Sequence, residues 1–158
     1  MINEFLNLPW PRILLLFGFF YLLLLLFAWV YADRILFPAP QSASYTKEEV
    51  DFYVPISNGL QIACIKIEST KPSDLTVLYS HGNGEDLGNV RGHLSSLSRF
   101  GCDFVSYDYP GYGLSQGDSS EDGCNLAIEA VYRYLVKDCK IDPNKVVLWG
   151  RSLGTGPS

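Results

Sequence analysis

Basic residues are scarce in this sequence. Lys and Arg number 12 against 17 Asp and Glu, for a formal net charge of −5. Nucleic-acid binding needs a basic patch to neutralise phosphates, so this balance argues against a nucleic-acid partner. No run of Lys or Arg offers a landing site for anionic lipid. The four cysteines, Cys64, Cys102, Cys124 and Cys139, show no CxxC spacing. Zinc is therefore not expected, and neither is any other metal or cofactor. The cysteines read as small buried or half-buried thiols. Their even number permits disulfides in an exported domain without requiring them. Histidine is rarer still, with only His81 and His93. No internal repeat occurs, and no low-complexity tract lies outside one apolar run near the start.

That run, Ile13 to Ala32, reads ILLLFGFFYLLLLLFAWVYA and carries no charge over twenty residues. It is long enough to cross a bilayer core as a helix. A buried core helix would show a polar face, and this segment has none. Val30 and Ala32 are small enough for signal cleavage, but the run exceeds a usual signal core. Of Trp10, Tyr21, Trp29 and Tyr31, three sit near the ends, where interfacial aromatics belong. The expected organisation is a flank at 1–12, a single-pass transmembrane anchor at 13–32, a linker at 33–44 and a domain at 45–158. The bilayer is thus an expected partner. Arg12 on one side and Arg34 and Lys47 on the other do not orient the anchor. In the linker, Pro38 and Pro40 stop any helix.

Val50–Pro55 and Leu60–Ile67 read as strands of a hairpin turning at Ser57-Asn58-Gly59. Leu75–Ser80 is a short apolar run, the mark of a strand buried on both faces. It leads into His81-Gly82-Asn83-Gly84. A helix is expected over Gly88–Phe100, with Val90, Leu94, Leu97 and Phe100 on one face and Gly101 as its cap. Asp103–Tyr107 is a second buried strand, followed by the loop Asp108–Gly113. Leu126, Ile128, Ala130, Val131, Tyr134 and Leu135 predict a helix over Asn125–Val136, with Glu121 and Asp122 before its positive end. After a turn at Ile141–Asn144, Lys145–Trp149 reads as a third buried strand. Strands alternating with amphipathic helices imply parallel βαβ units. With the leading hairpin, the expected fold class is α/β: a mixed, mostly parallel sheet with helices on both faces.

The last of these strands runs into Gly150-Arg151-Ser152-Leu153-Gly154, a G-x-S-x-G pattern. A serine placed on so sharp a strand-to-helix turn projects its hydroxyl beyond the sheet, and flanking glycines let the turn close. The helix start also offers backbone N–H groups to a developing oxyanion. A second donor must come from the loop after an earlier strand, here His81–Gly84, where Gly82 and Gly84 allow close backbone approach. The assigned donors are the N–H groups of Leu153 and Asn83. Other glycine patterns fit worse. Gly111, Gly113 and Gly117 are spaced one residue too long for a dinucleotide fingerprint, and Gly150–Gly156 lacks the Lys of a phosphate loop. Asp108 reads as a loop cap, Glu85 and Asp86 as N-terminal helix residues, and Ser80 and Ser115 as turn hydrogen-bonders.

Three segments, HGNGEDLG (His81–Gly88), YDYPGYGLSQG (Tyr107–Gly117) and GRSLGTGPS (Gly150–Ser158), together resemble one branch of the α/β-hydrolase superfamily. That branch contains the bud-emergence-type hydrolases and the related protein depalmitoylases. The resemblance implies the N-terminal part of an α/β-hydrolase fold behind one transmembrane helix. It implies Ser152 as the nucleophile of an acyl-enzyme, an ester, thioester or lipid-like substrate, and His81 ordering the oxyanion loop. Two departures matter. The family's order is Ser, then Asp or Glu, then His, yet only six residues follow Ser152 and both histidines precede it. The catalytic Asp and His are absent from the chain, which is therefore expected to be an inactive fragment of a serine hydrolase. A catalytically silent, truncated membrane-anchored protein is the rival. Depalmitoylases of the branch also carry an N-terminal cysteine cluster, and no cysteine here precedes Cys64, which favours a general ester or lipid hydrolase. Without later strands, Lys145–Trp149 is expected to form an apolar edge.

Overall fold

The computed structural model describes residues 10–57 and 59–158. The first nine residues and Asn58 of the expected hairpin turn lie outside the described residues. The chain divides into two units, with the break after Leu36.

The first unit is helix α1, Trp10–Leu36. Its 27 residues span about 40 Å at the α-helical rise, more than the hydrocarbon thickness of a bilayer. The mean hydropathy of its most apolar window is 2.8, and leucines and phenylalanines are exposed all round. By length and composition this helix is apolar enough to cross a membrane. It extends past the charge-free run at both ends, and Arg34 falls in its last turn, where a cation suits the helix dipole.

The second unit holds five strands: β1 (Phe52–Pro55), β2 (Gln61–Ile67), β3 (Thr76–Ser80), β4 (Asp103–Tyr107) and β5 (Val146–Gly150). The sheet order is β1-β2-β4-β3-β5. β1 pairs antiparallel with β2, and β2 antiparallel with β4. β4 and β5 both pair parallel with β3, one on each side. Helix α2 (Leu87–Leu97) connects β3 to β4, and α3 (Glu121–Lys137) carries the chain from β4 back across β3 to β5. Parallel crossovers are right-handed, so two crossovers running in opposite directions place their helices on opposite faces.

The strand side chains obey this arrangement. Val77, Tyr79 and Phe104 face α2 and pack with Val90 and Leu94. Their alternates Leu78, Val105 and Tyr107 face α3 and pack with Cys124, Ala127, Ile128, Val131 and Leu135. All five residues of β3 are buried, as a strand covered on both faces requires.

Several boundaries differ from the sequence expectation. α3 begins four residues early, at Glu121, because Ser120 caps it by accepting the Gly123 N–H at 3.1 Å. Glu121 and Asp122 therefore form its first turn rather than precede it. α2 ends at Leu97 in a 3₁₀ turn, and Phe100 is exposed instead of facing the core. β5 lacks the burial its composition suggests and instead forms the apolar edge expected of a strand with no later neighbour: Val147, Leu148 and Trp149 are each more than two-fifths exposed, since among the described residues β3 is its one partner. The 33–44 linker divides. Residues 33–36 complete α1, whereas Phe37 is buried in the core and its carbonyl accepts the Ser119 hydroxyl at 3.0 Å. Ser44 bonds through its N–H, at 2.6 Å, and its hydroxyl to Asp86. Asp86 in turn caps α2 reciprocally with Asn89.

All four cysteines are free, and they differ in exposure. Cys64 and Cys124 are buried, Cys102 is intermediate, and Cys139 is exposed rather than half-buried. Burial holds the Cys64 thiol well above its ordinary value and pushes Cys124 up to about 12. Both stay protonated and unreactive. In the folded protein, iodoacetamide at pH 8 is expected to modify Cys139 first and to reach Cys64 and Cys124 only after denaturation, as peptide mass mapping would reveal. The unfolded Cys124 ionises near pH 9.0 and the folded one near 12. Its contribution to stability is therefore complete below pH 9 and declines as pH rises through that window.

Candidate active site

β3 and β5 end side by side, with Ser80 opposite Gly150. Two loops leave these adjacent C-terminal strand ends, where ligands of open parallel sheets bind. The Arg151 N–H donates to the Ser80 carbonyl at 3.0 Å, extending the ladder by one residue. The chain then turns at Ser152, whose φ is +50°. A non-glycine residue in the left-handed region is strained and persists only where its surroundings fix it.

Those surroundings are the two glycines of the pattern. A Cβ on Gly154 would collide with the Ser80 carbonyl and lie 2.8 Å from the His81 carbonyl. A Cβ on Gly150 would collide with the Gly154 carbonyl and approach the Thr155 nitrogen to 2.6 Å. The turn thus closes directly against β3. It continues as a 3₁₀ turn, Ser152–Thr155, in which the Gly154 N–H donates to Arg151 and the Thr155 hydroxyl to the Ser152 carbonyl, at 2.9 and 2.6 Å. Ser152 is exposed at this turn, and Leu153 is half-buried against the core.

The facing loop, His81–Gly84, is tied on two sides. On the inner side, the Tyr109 hydroxyl donates to the His81 carbonyl at 2.7 Å and the Tyr112 hydroxyl to Asn83 Oδ1 at 2.7 Å. On the outer side, Glu85 Oε2 accepts the Gly82 N–H at 2.8 Å while Oε1 pairs with the Arg151 guanidinium. Asn83 is exposed beside Gly84, which has a φ of +70°.

Beneath the loop lies a fully buried carboxylate, Asp108. Oδ1 accepts the Leu87 N–H at 3.0 Å, and Oδ2 accepts the Tyr45 hydroxyl. Burial, and next the Asp108 charge, push the Tyr45 phenol far up, so it remains a donor. Gly113 at φ +49° passes so close that a Cβ there would overlap Oδ2. His81 Nε2 lies 3.2 Å from Oδ1 without forming a hydrogen bond. Its Nδ1 meets the Gly82 carbonyl at 2.9 Å, and its ring packs on Tyr109 at 4.4 Å. His81 is therefore enclosed, and His93 is exposed on α2. Among the described residues, neither histidine hydrogen-bonds Ser152. No cluster of His, Cys, Asp or Glu that could hold a metal ion occurs among them either.

The structure brings Gly150, Ser152, Leu153 and Gly154 together with His81, Gly82 and Asn83 at one end of the sheet. A cavity of about 590 Å³, lined by Lys66, Thr76, Asp103 and Lys145, opens at the opposite strand ends, away from the serine. Sequence reasoning missed the Tyr45–Asp108 pair and the Glu85–Arg151 pair. It took Asp108 for a loop cap, whereas the carboxylate ties three separate segments.

Known proteins share this fold. A family model described as the alpha/beta hydrolase fold matches residues 76–158. Alpha/beta hydrolase domain-containing protein 17B of Homo sapiens is 38% identical over 120 residues, covering 75% of this chain and 42% of that protein. Protein 17C of Mus musculus is 34% identical over 119 residues, covering 72% of this chain and 37% of its own length. The chain thus spans about two-fifths of the curated relatives it matches. Among solved structures, an esterase of Pyrococcus furiosus superposes with a TM-score of 0.59 at 17% identity, over 75% of this chain and 50% of that one. A serine hydrolase without a lid from Xanthomonas campestris gives 0.54 at 20% identity, over 72% and 55%. These two carry the fold. The chain belongs to the α/β-hydrolase family.

Two substitutions test this architecture by urea unfolding. Asp108→Ala removes the shared acceptor of Tyr45 and Leu87 and leaves two buried donors unpaired, and is expected to cost about 2–5 kcal/mol. Gly154→Ala forces β5 away from β3 and is expected to cost at least about 2 kcal/mol. A loss below 0.5 kcal/mol in either case contradicts the packing described.

Proposed function

We propose that this chain carries the nucleophile and oxyanion half of a membrane-anchored serine hydrolase acting on carboxylic esters or thioesters, including lipid-like ones. The observation that carries the proposal is the left-handed Ser152, held by Gly150 and Gly154 against β3 and facing the His81–Gly84 loop. In the reaction, Ser152 Oγ bonds to the substrate carbonyl carbon and passes its proton to a general base. The N–H groups of Leu153 and Asn83 receive the oxyanion. The carbon–oxygen or carbon–sulfur bond to the leaving group then breaks, and the leaving group takes up the proton. Water subsequently releases the acid from Ser152. The base and its carboxylate are supplied from outside these 158 residues. Helix α1 holds the enzyme at the bilayer, close to acylated substrates. No cofactor is needed for this chemistry.

The second reading is a catalytically silent anchored protein. It is favoured by the two histidines, one enclosed and one on an outer helix face, which leave Ser152 without a base of its own.

The test is hydrolysis of p-nitrophenyl butyrate and of a palmitoyl thioester by the full-length protein in membranes. Ser152→Ala is expected to reduce kcat by about 10³-fold or more, and residues 1–158 alone are expected to be inactive. Hydrolysis that survives Ser152→Ala contradicts the proposal. Deleting residues 10–36 is expected to move the protein from a carbonate-washed membrane pellet to the supernatant, whereas continued pelleting contradicts the anchor.

A further inference from the structure

The Glu85 carboxylate spans the two loops that bear the chemistry. One oxygen accepts the N–H of Gly82, the residue immediately before Asn83. The other pairs with the guanidinium of Arg151, the residue immediately before Ser152. The same two loops are joined at their base by the Arg151 N–H on the Ser80 carbonyl. The backbone contact fixes where the loops leave the sheet, and the carboxylate fixes how far apart they stand beyond it. The tyrosine contacts to His81 and Asn83 hold the loop's inner side and do not reach Arg151.

We propose that Glu85 is a positioning residue that sets the separation of the nucleophile turn from the oxyanion loop, bridging the Gly82 N–H and the Arg151 guanidinium. This inference rests on the serine-hydrolase reading of Ser152. An exposed ion pair by itself has little effect, and the Arg151 side chain is 62% exposed. The Glu85 side chain is only 23% exposed and is also committed to a backbone N–H, which gives it one geometry. A Cβ on Gly82 would lie 2.8 Å from the Glu85 oxygen, so a larger residue there would displace the carboxylate from this geometry. An oxyanion donor acts only when it is placed at hydrogen-bond distance from the developing charge. A misplacement of about 1 Å costs on the order of 100-fold in rate.

The test uses the full-length protein with p-nitrophenyl butyrate, with kcat expressed per Ser152 site titrated by a fluorophosphonate. Glu85→Ala is expected to lower kcat by about 10- to 100-fold with KM changed less than about twofold. Glu85→Gln keeps an acceptor for Gly82 but loses the charge, and about a 3- to 10-fold loss is expected. Arg151→Ala is expected to match Glu85→Gln, and the Glu85→Gln/Arg151→Ala double variant to be no worse than either of these two single ones, because both remove the same ion pair. A kcat per titrated site that is unchanged in Glu85→Ala, even with a lowered Tm, overturns the positioning role and leaves the hydrolase reading standing. Absence of any Ser152-dependent hydrolysis in the unsubstituted protein overturns both.

Discussion

The buried carboxylate of Asp108 ties together segments that the sheet alone would leave separate. Its two oxygens reach Tyr45 before β1 and the first N–H of α2, with the His81 ring alongside at 3.2 Å. Gly113 gives up its side chain so that the next loop can pass. In a dry interior such a network is strongly directional, and each missing partner is costly. The loop that faces Ser152 therefore rests on a platform with little freedom. On its inner side the loop is held by the Tyr109 and Tyr112 hydroxyls.

The second constraint is the contact between two strand ends. β3 lies between two parallel neighbours, and its C-terminal end adjoins that of β5. Gly154 lies on the Ser80 carbonyl, which leaves Ser152 no relaxed backbone conformation. Strain of this kind is held by the folding energy of the whole sheet and placed where chemistry requires an exposed hydroxyl. The alternation of α2 and α3 between faces covers β3 completely, so the strand that leads into the His81–Gly84 loop is buried along its whole length.

Much of this was legible in the sequence, for identifiable reasons. β3 and β4 are short apolar runs whose composition matches their burial, and the serine turn is a contiguous pattern. Boundaries set by polar residues were harder. The first turn of α3 holds Glu121 and Asp122, which add nothing to an apolar period, and Asp33 and Arg34 end the charge-free run although α1 continues. The exposure of β5 was legible only from the strands that could flank it, a property of the assembly and not of VVLWG itself. The docking of Phe37 and Tyr45 and the Glu85–Arg151 bridge join residues tens of positions apart, 63 for Tyr45–Asp108 and 66 for the bridge. No local spacing signals such pairs. The helical period placed Glu85 near a helix start, and nothing nearby in sequence points to Arg151.

The most direct test of the account is to find where an alkyl fluorophosphonate bonds on the protein as it occurs in its source cells. Tandem mass spectrometry of the labelled peptide is expected to place the phosphonyl group on Ser152, with labelling lost after heat denaturation. An adduct on another serine, or no adduct on folded protein under conditions that label a control serine esterase, would contradict the claim that this turn presents a nucleophile.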